Sequence, residues 1–187
     1  FGGTDLRLAV NSDPMGPTLK KDYPQVETYV RFYTSQGSKQ VRKDNVYITE
    51  TNVAHADSTL FDVFTLPAVA GDTRTALDDP NTVVITRSIA LKYFGSTDVI
   101  GKTLETTENN GTLYKVTAVI EDMPTTSHFR FDLIFSMDNV EYGFGNYLSH
   151  NFFTYIVLQE GTDYWAFEKN LDQILETYVF PQAQQFL

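Results

Sequence analysis

His55 and Asp57 have the spacing best suited to chemistry. On a strand, a His-x-Asp pair puts an imidazole and a carboxylate on one face, the seed of a two-ligand metal site. Zinc needs at least one more ligand, and no spacing elsewhere in the chain supplies it. His128 falls on the polar face of an expected strand and His150 in a loop, so both read as surface residues. There is no cysteine, which removes thiolate catalysis, disulfides and Cys-based zinc sites. No Gly-x-Ser-x-Gly elbow occurs, and Gly143-Phe144-Gly145 is too short for a dinucleotide fingerprint and follows no strand-to-helix signal. Asp78-Asp79, residues 105–108 and Glu121-Asp122 lack the spaced Asp, Asn and Gly of a calcium loop and read as solvated acidic faces. The expectation is therefore a chain with no catalytic residue, no cofactor and no metal.

Composition narrows the remaining classes. The 24 acids against 14 Lys and Arg give a formal charge of -10, which argues against nucleic acid, since phosphate neutralisation needs clustered cations. The same charge disfavours anionic lipid. Two short basic runs, Lys20-Lys21 and Lys39 with Arg42-Lys43, read as solvated faces. At 187 residues one domain, or one domain with a lobe, can bury roughly 70% of its unfolded surface. No apolar run approaches the roughly 20 residues that span a bilayer, and no charged-then-apolar leader starts at Phe1. The ends, Phe1-Gly2-Gly3 and residues 181–187, carry no punctuation, so a soluble piece excised from something larger is expected.

The elements that would position these residues alternate without strict order. Leu19 and Tyr23 suit a short helix with Pro14 and Pro17 near its start and Pro24 ending it. Val26, Thr28, Val30 and Phe32 alternate as a half-buried strand, residues 35–38 turn the chain, and residues 40–49 read as one further, less regular strand. Ser58 is the expected cap of a single turn carrying Phe61 and Phe64. Val83-Val84-Ile85 reads as a strand covered on both faces. Thr86 or Ser88 then caps a helix with Ile89, Ala90, Tyr93 and Phe94 on one face, stopped by Gly95. Asn109-Asn110-Gly111 is a hairpin turn joining strands over 103–107 and 114–120. Phe129, Phe131, Leu133, Phe135 and Met137 alternate as the cleanest strand, and the doubly apolar run 152–158 reads as a central one. After Gly161-Thr162-Asp163, the residues Phe167, Leu171, Ile174, Leu175 and Tyr178 follow one long helix. The class is α+β, with mixed or antiparallel sheets and short packed helices.

Between the last two strands lies a loop rich in glycine and aromatics: Tyr142, Phe144 and Tyr147, leading into Phe152 and Phe153. Glycine-spaced rings on a loop suit a contact surface for a partner or an apolar ligand. They suit equally a lid folded back over the sheet. Tyr142, Phe144 and Tyr147 are the candidate partner-contact residues.

Several elements together carry a family resemblance. They are Pro24 with Val26, the Phe61 and Phe64 turn, Gly71-Asp72, Asp79-Pro80, Val83 through Thr86, Tyr93-Phe94-Gly95, Ile100-Gly101-Lys102-Thr103-Leu104, Val116 through Val119 and Ser127-His128-Phe129. In these the chain resembles the MacB-like periplasmic core domain, a porter-like extracytoplasmic domain between two transmembrane helices of MacB/FtsX-type (type VII) ABC transporter permeases. The Tyr-Phe-Gly and Ile-Gly-Lys-Thr-Leu elements at this separation are the specific part.

The resemblance implies that residues 1–187 form a single non-enzymatic domain, or two lobes, of an inner-membrane protein in a Gram-negative cell, working by mechanotransmission. Its implied partners are an ABC ATPase subunit reached through the membrane part, a second permease protomer, and a periplasmic adaptor, lipoprotein or cell-wall enzyme. Phe61, Phe64, Tyr93 and Phe94 are expected as core anchors. Two rivals stand beside it: a stand-alone periplasmic or secreted solute or peptide binder with the 142–153 loop lining its site, and an acidic secreted hydrolase for which no motif speaks.

Overall fold

The computed structural model describes residues 9–34 and 37–186; the Phe1-Gly2-Gly3 lead-in, Ser35 and Gln36 of the expected turn, and Leu187 lie outside the described residues. In chain order the first elements are α1 (Met15–Asp22), β1 (Val26–Tyr33), β2 (Lys39–Lys43), β3 (Val46–Glu50), β4 (Val53–Ala56), α2 (Leu60–Val63), β5 (Ala68–Gly71), β6 (Thr82–Thr86) and α3 (Arg87–Phe94). There follow β7 (Thr103–Glu105), β8 (Leu113–Ile120), β9 (Leu133–Ser136), β10 (Phe152–Leu158), α4 (Tyr164–Glu168), α5 (Asp172–Ile174) and α6 (Phe180–Gln184). A π-helical turn at Leu175–Val179 joins the last two helices. Among the described residues no helix is long and apolar enough to cross a membrane. The chain divides into two compact units, Phe32–Glu141 and the combination of Phe1–Arg31 with Tyr142–Leu187.

The Phe32–Glu141 unit is built on strands in the order β4-β9-β6-β8-β5, with β7 also paired to β8. Pairing is mixed: β4 with β9 and β6 with β8 run parallel, while β6 with β9, β5 with β8 and β7 with β8 run antiparallel. Every residue of β6 is buried, as its apolar run demands. Val83, Ile85, Val119, Leu133 and Phe135 form the core with Ile89 and Ala90 of α3 and with Val99. Thr86 caps α3 by accepting from the Ile89 amide, and Gly95 ends it at φ 69°. The expected α+β class with a mixed sheet and short helices is the class observed.

Gly95→Val should cost roughly 1–2 kcal/mol, since a left-handed residue other than glycine is unfavourable and β-branching adds to it. A Cβ there would meet no atom within 4 Å, so the cost is conformational alone. Scanning calorimetry should find the melting temperature lower by several degrees; an unchanged value would show that Gly95 does not set the helix end.

Several expectations fail in informative ways. The single strand over 40–49 is a hairpin, with β2 paired to β3 around Asp44, which adopts φ 54°. Ser58 is not a cap: Thr59 occupies that position and no side chain caps α2. The strand expected from Phe129 to Met137 is only β9, because Phe129 and Phe131 pack their rings on Phe32 in an irregular segment instead of pairing in the sheet. The expected anchors hold in part: Phe61, Phe64, Tyr93 and Phe94 are half-buried, with Tyr93 and Phe94 packed against the core and Phe64 against Phe32 and Phe129. The fully enclosed anchors are Leu60, Ala90 and Val99.

In the other unit β10 pairs with β1 and stands last in the strand order of the described residues, so it is not the central strand its apolar sequence implied. Its apolar residues are needed all the same. Ile156 and Leu158 pack with Leu19 and Val26 and with Phe167 and Ile174. The one long helix is interrupted: α4 is capped by the Asp163 carboxylate, the chain turns at residues 169–171, and the π turn follows α5.

Candidate functional site

The 142–151 loop is fixed by three polar anchors. The carboxylate of Asp13, only 2% exposed, accepts from the amides of Gly145 at 2.6 Å and Asn146 at 3.2 Å. Gly145 can present its amide this way because it sits at φ 94°, open to glycine and costly for other residues. Gln182 on α6 accepts from the Tyr147 amide at 2.6 Å and donates to the Gly145 carbonyl at 2.9 Å. The Tyr147 hydroxyl lies 2.5 Å from that of Thr18 on α1.

The rings divide by role. Tyr142 packs edge-on to Phe144 at 5.5 Å and to Phe152 at 5.2 Å, and its hydroxyl bonds Ser149 at 2.6 Å. Tyr147 stacks on Tyr178 at 5.1 Å. Both rings are therefore packed inward, within their own unit. Phe144 differs: it is 46% exposed, with the Arg31 guanidinium 5.6 Å from its ring centre, and Leu148, four residues on, is 39% exposed. The loop is thus held at its base by polar contacts and leaves one ring and one leucine exposed.

The His-x-Asp pair lies elsewhere, in the Phe32–Glu141 unit. His55 is buried in β4 between the rings of Tyr33 and Phe135, and its Nε2 has no hydrogen-bond partner. Burial, and then the Lys39 ammonium, push its pKa down to about 3, so the imidazole is neutral. No cluster of three or more His, Asp or Glu able to hold a metal occurs among the described residues. His128 and His150 are exposed.

Two surface readings are overturned here. Lys39 is not a solvated cation: its side chain is 2% exposed, it donates to Glu108, and its ammonium lies 4.8 Å from the Phe135 ring centre. Burial pushes Lys39 down, against the pull of Glu108. Glu108 also accepts from the Tyr114 hydroxyl at 2.9 Å, and Glu105 takes Arg42 and Tyr47, so residues 105–108 bind the β2–β3 hairpin. They are not a free acidic face. Sequence gave no sign of this pair, because its members lie far apart and neither sits in a motif. Glu121 likewise holds Arg87, and Asp122 holds Ser88.

The MacB-like periplasmic core domain family matches residues 4–174. A domain described as part of a permease protein from Porphyromonas gingivalis has a TM-score of 0.81 at 23% identity, over 94% of this chain and 74% of that one. The periplasmic region of MacB from Actinobacillus actinomycetemcomitans gives 0.65 at 17% identity, over 95% and 78%. The extracellular domain of the ABC-type transporter YknZ from Gram-positive bacteria gives 0.57 at 16%, over 89% and 79%. At these identities the likeness to solved structures is one of fold. No curated protein sequence matches the chain.

Proposed function

Because the chain belongs to the MacB-like periplasmic core domain family, the extracytoplasmic domain of ABC transporter permeases, we propose that it works by contact and movement, without catalysis. In this reading nucleotide is hydrolysed by a cytoplasmic ATPase, and the motion crosses the membrane through helices flanking this domain. A second permease protomer moves with it, and a periplasmic adaptor, lipoprotein or cell-wall enzyme receives the motion. The membrane is the inner membrane of a Gram-negative cell. One observation carries the assignment of the contact surface: the loop fixed by Asp13, Thr18 and Gln182 presents Phe144 and Leu148 outward.

The test uses the full permease in cells, with a photo-crosslinking residue at position 144 and, as control, at the exposed Leu91. Crosslinks to an envelope protein should form at 144, not at 91, and should change in yield when the ATPase is inactivated by mutation. Phe144→Ser should weaken capture of that partner about fivefold, the value of roughly 1 kcal/mol at an interface. Its melting temperature should stay close to that of the unaltered chain. Crosslinks indifferent to ATPase activity would remove mechanotransmission, and an effect at 91 equal to that at 144 would remove the loop.

A further inference from the structure

Within the unit formed by the N- and C-terminal segments, the end of α1 and the α5 to π-turn segment line a half-open cleft of about 180 Å³. Asp22, Tyr23, Gln173, Ile174, Thr177 and Tyr178 line it. At about 30 Å³ per water this is room for roughly six waters. That is too small for a drug-sized ligand, for which sites begin near 300 Å³, and enough for the end of one side chain.

The two phenols and the carboxylate are held in place. Tyr23 sits edge-on to the buried Phe167 at 5.5 Å, and its hydroxyl donates to the Asn170 carbonyl at 2.9 Å. Tyr178 stacks on Tyr147 and donates its hydroxyl to Asp22 Oδ2. Ile174, 2% exposed, supplies an apolar wall. The backbone is unusual at the same place. Thr177 and Tyr178 belong to the π-helical turn, a conformation that is rare and recurs at functional sites.

The geometry points to a binding site for a single organic cation, a primary ammonium or a guanidinium, taken beside the Tyr23 and Tyr178 rings with its charge against Asp22. The ring faces attract a cation, the carboxylate accepts its N–H groups, and Gln173 and Thr177 offer further acceptors. An anion would meet the carboxylate, and a purely apolar guest would bury its charge without a counter-ion. Burial, then the Asp22 charge, raise the Tyr23 pKa, and the bond to Asp22 holds Tyr178 up to about 12, so both phenols stay neutral. Lys21 lies 3.9 Å from Asp22 Oδ1 with its side chain 76% exposed, a loose pair that a guest can displace. The site stands independently of the transporter reading.

The 187-residue chain, labelled with nitrogen-15, would be titrated with methylguanidinium chloride and with methylammonium chloride, against sodium chloride at equal ionic strength. Saturable amide shifts confined to Asp22, Tyr23, Gln173, Thr177 and Tyr178 are expected with the organic cations and not with sodium. Asp22→Asn keeps an acceptor for the Tyr178 hydroxyl and should weaken binding at least about fivefold. Tyr178→Leu should do so as well; dispersed spectra would confirm that both variants fold. Shifts that grow linearly without saturating, that sodium reproduces, or that Asp22→Asn leaves unchanged would overturn the site. A second arm compares putrescine with a capped Gly-Arg-Gly peptide. Tighter binding of the peptide identifies the guest as a protein side chain, tighter binding of the diamine identifies a free solute, and binding of neither overturns the site.

Discussion

Gly71→Ala is expected to destabilise the chain by about 4 kcal/mol and to lower the melting temperature by about 10 °C. Gly71 pairs with Ala118 at the end of β5, at φ 86°. A Cβ at this position would lie 2.3 Å from the Thr117 carbonyl oxygen and 2.9 Å from the Ala118 Cα. Both are backbone atoms of β8, itself held by β6, β5 and β7, so the clash can be relieved only by parting strands. The left-handed backbone adds about 1 kcal/mol. Gly95→Ala is the matched control, because Gly95 has the same sign of φ and open space around it. Equal losses in the two variants, measured by urea unfolding, would show that the approach of β8 to Gly71 is not close.

The second large effect is a loss of stability on mild acidification, which His55 produces. An unfolded imidazole titrates near 6.5, whereas burial and the neighbouring Lys39 hold the folded one at about 3. Between those values the unfolded chain binds a proton that the folded chain refuses. His55 therefore costs nothing above pH 6.5, and its penalty grows as pH falls toward 3. At about 1.4 kcal/mol per pH unit, the loss is about 2 kcal/mol by pH 5 and about 3 kcal/mol by pH 4.

Glu108 acts in a lower window. Burial pushes its carboxyl up, but Lys39 and Tyr114 more than offset this and leave it below its ordinary 4.5. Its contribution is present above 4.5 and disappears only as pH falls through the lower folded value. The interval from pH 6.5 to 5 thus isolates His55. His55→Leu, similar in volume and lying among the same rings, should flatten that interval in urea unfolding curves and be the more stable chain at pH 4. Parallel slopes in variant and parent would show that the imidazole is not buried neutral.

Much of the Phe32–Glu141 unit was legible because its signals are local. The apolar run of β6, the Thr86 cap and the Gly95 stop need only a few neighbouring residues to be read. Phe129 and Phe131 misled because alternation reports which side chains are covered, and rings packed on Phe32 alternate as well as rings in a sheet. The β2–β3 turn was missed because Asp44-Asn45 lacks glycine, although Asp tolerates the left-handed region. The aromatic loop was visible as a candidate, but which of its rings face inward was not. That is decided by Asp13, Thr18 and Gln182, distant in sequence and unremarkable where they stand. The buried Lys39 and Glu108 were illegible for the same reason: charge reads as solvent-facing until a partner is known.

The π turn also settles a question of phase. Successive residues of an α-helix are about 100° apart around the axis, so a helix run without a break from Ile174 would carry Gln182 to a different bearing. The wider turn at Leu175–Val179 takes in one extra residue and turns everything after it back by about that angle. Ile174 can then enter the core while Gln182 reaches Tyr147 and Gly145. Read as a dial, the turn is a one-residue offset between two fixed settings, and a single deletion within residues 175–179 would restore a regular helix while aiming Gln182 away from the loop it anchors.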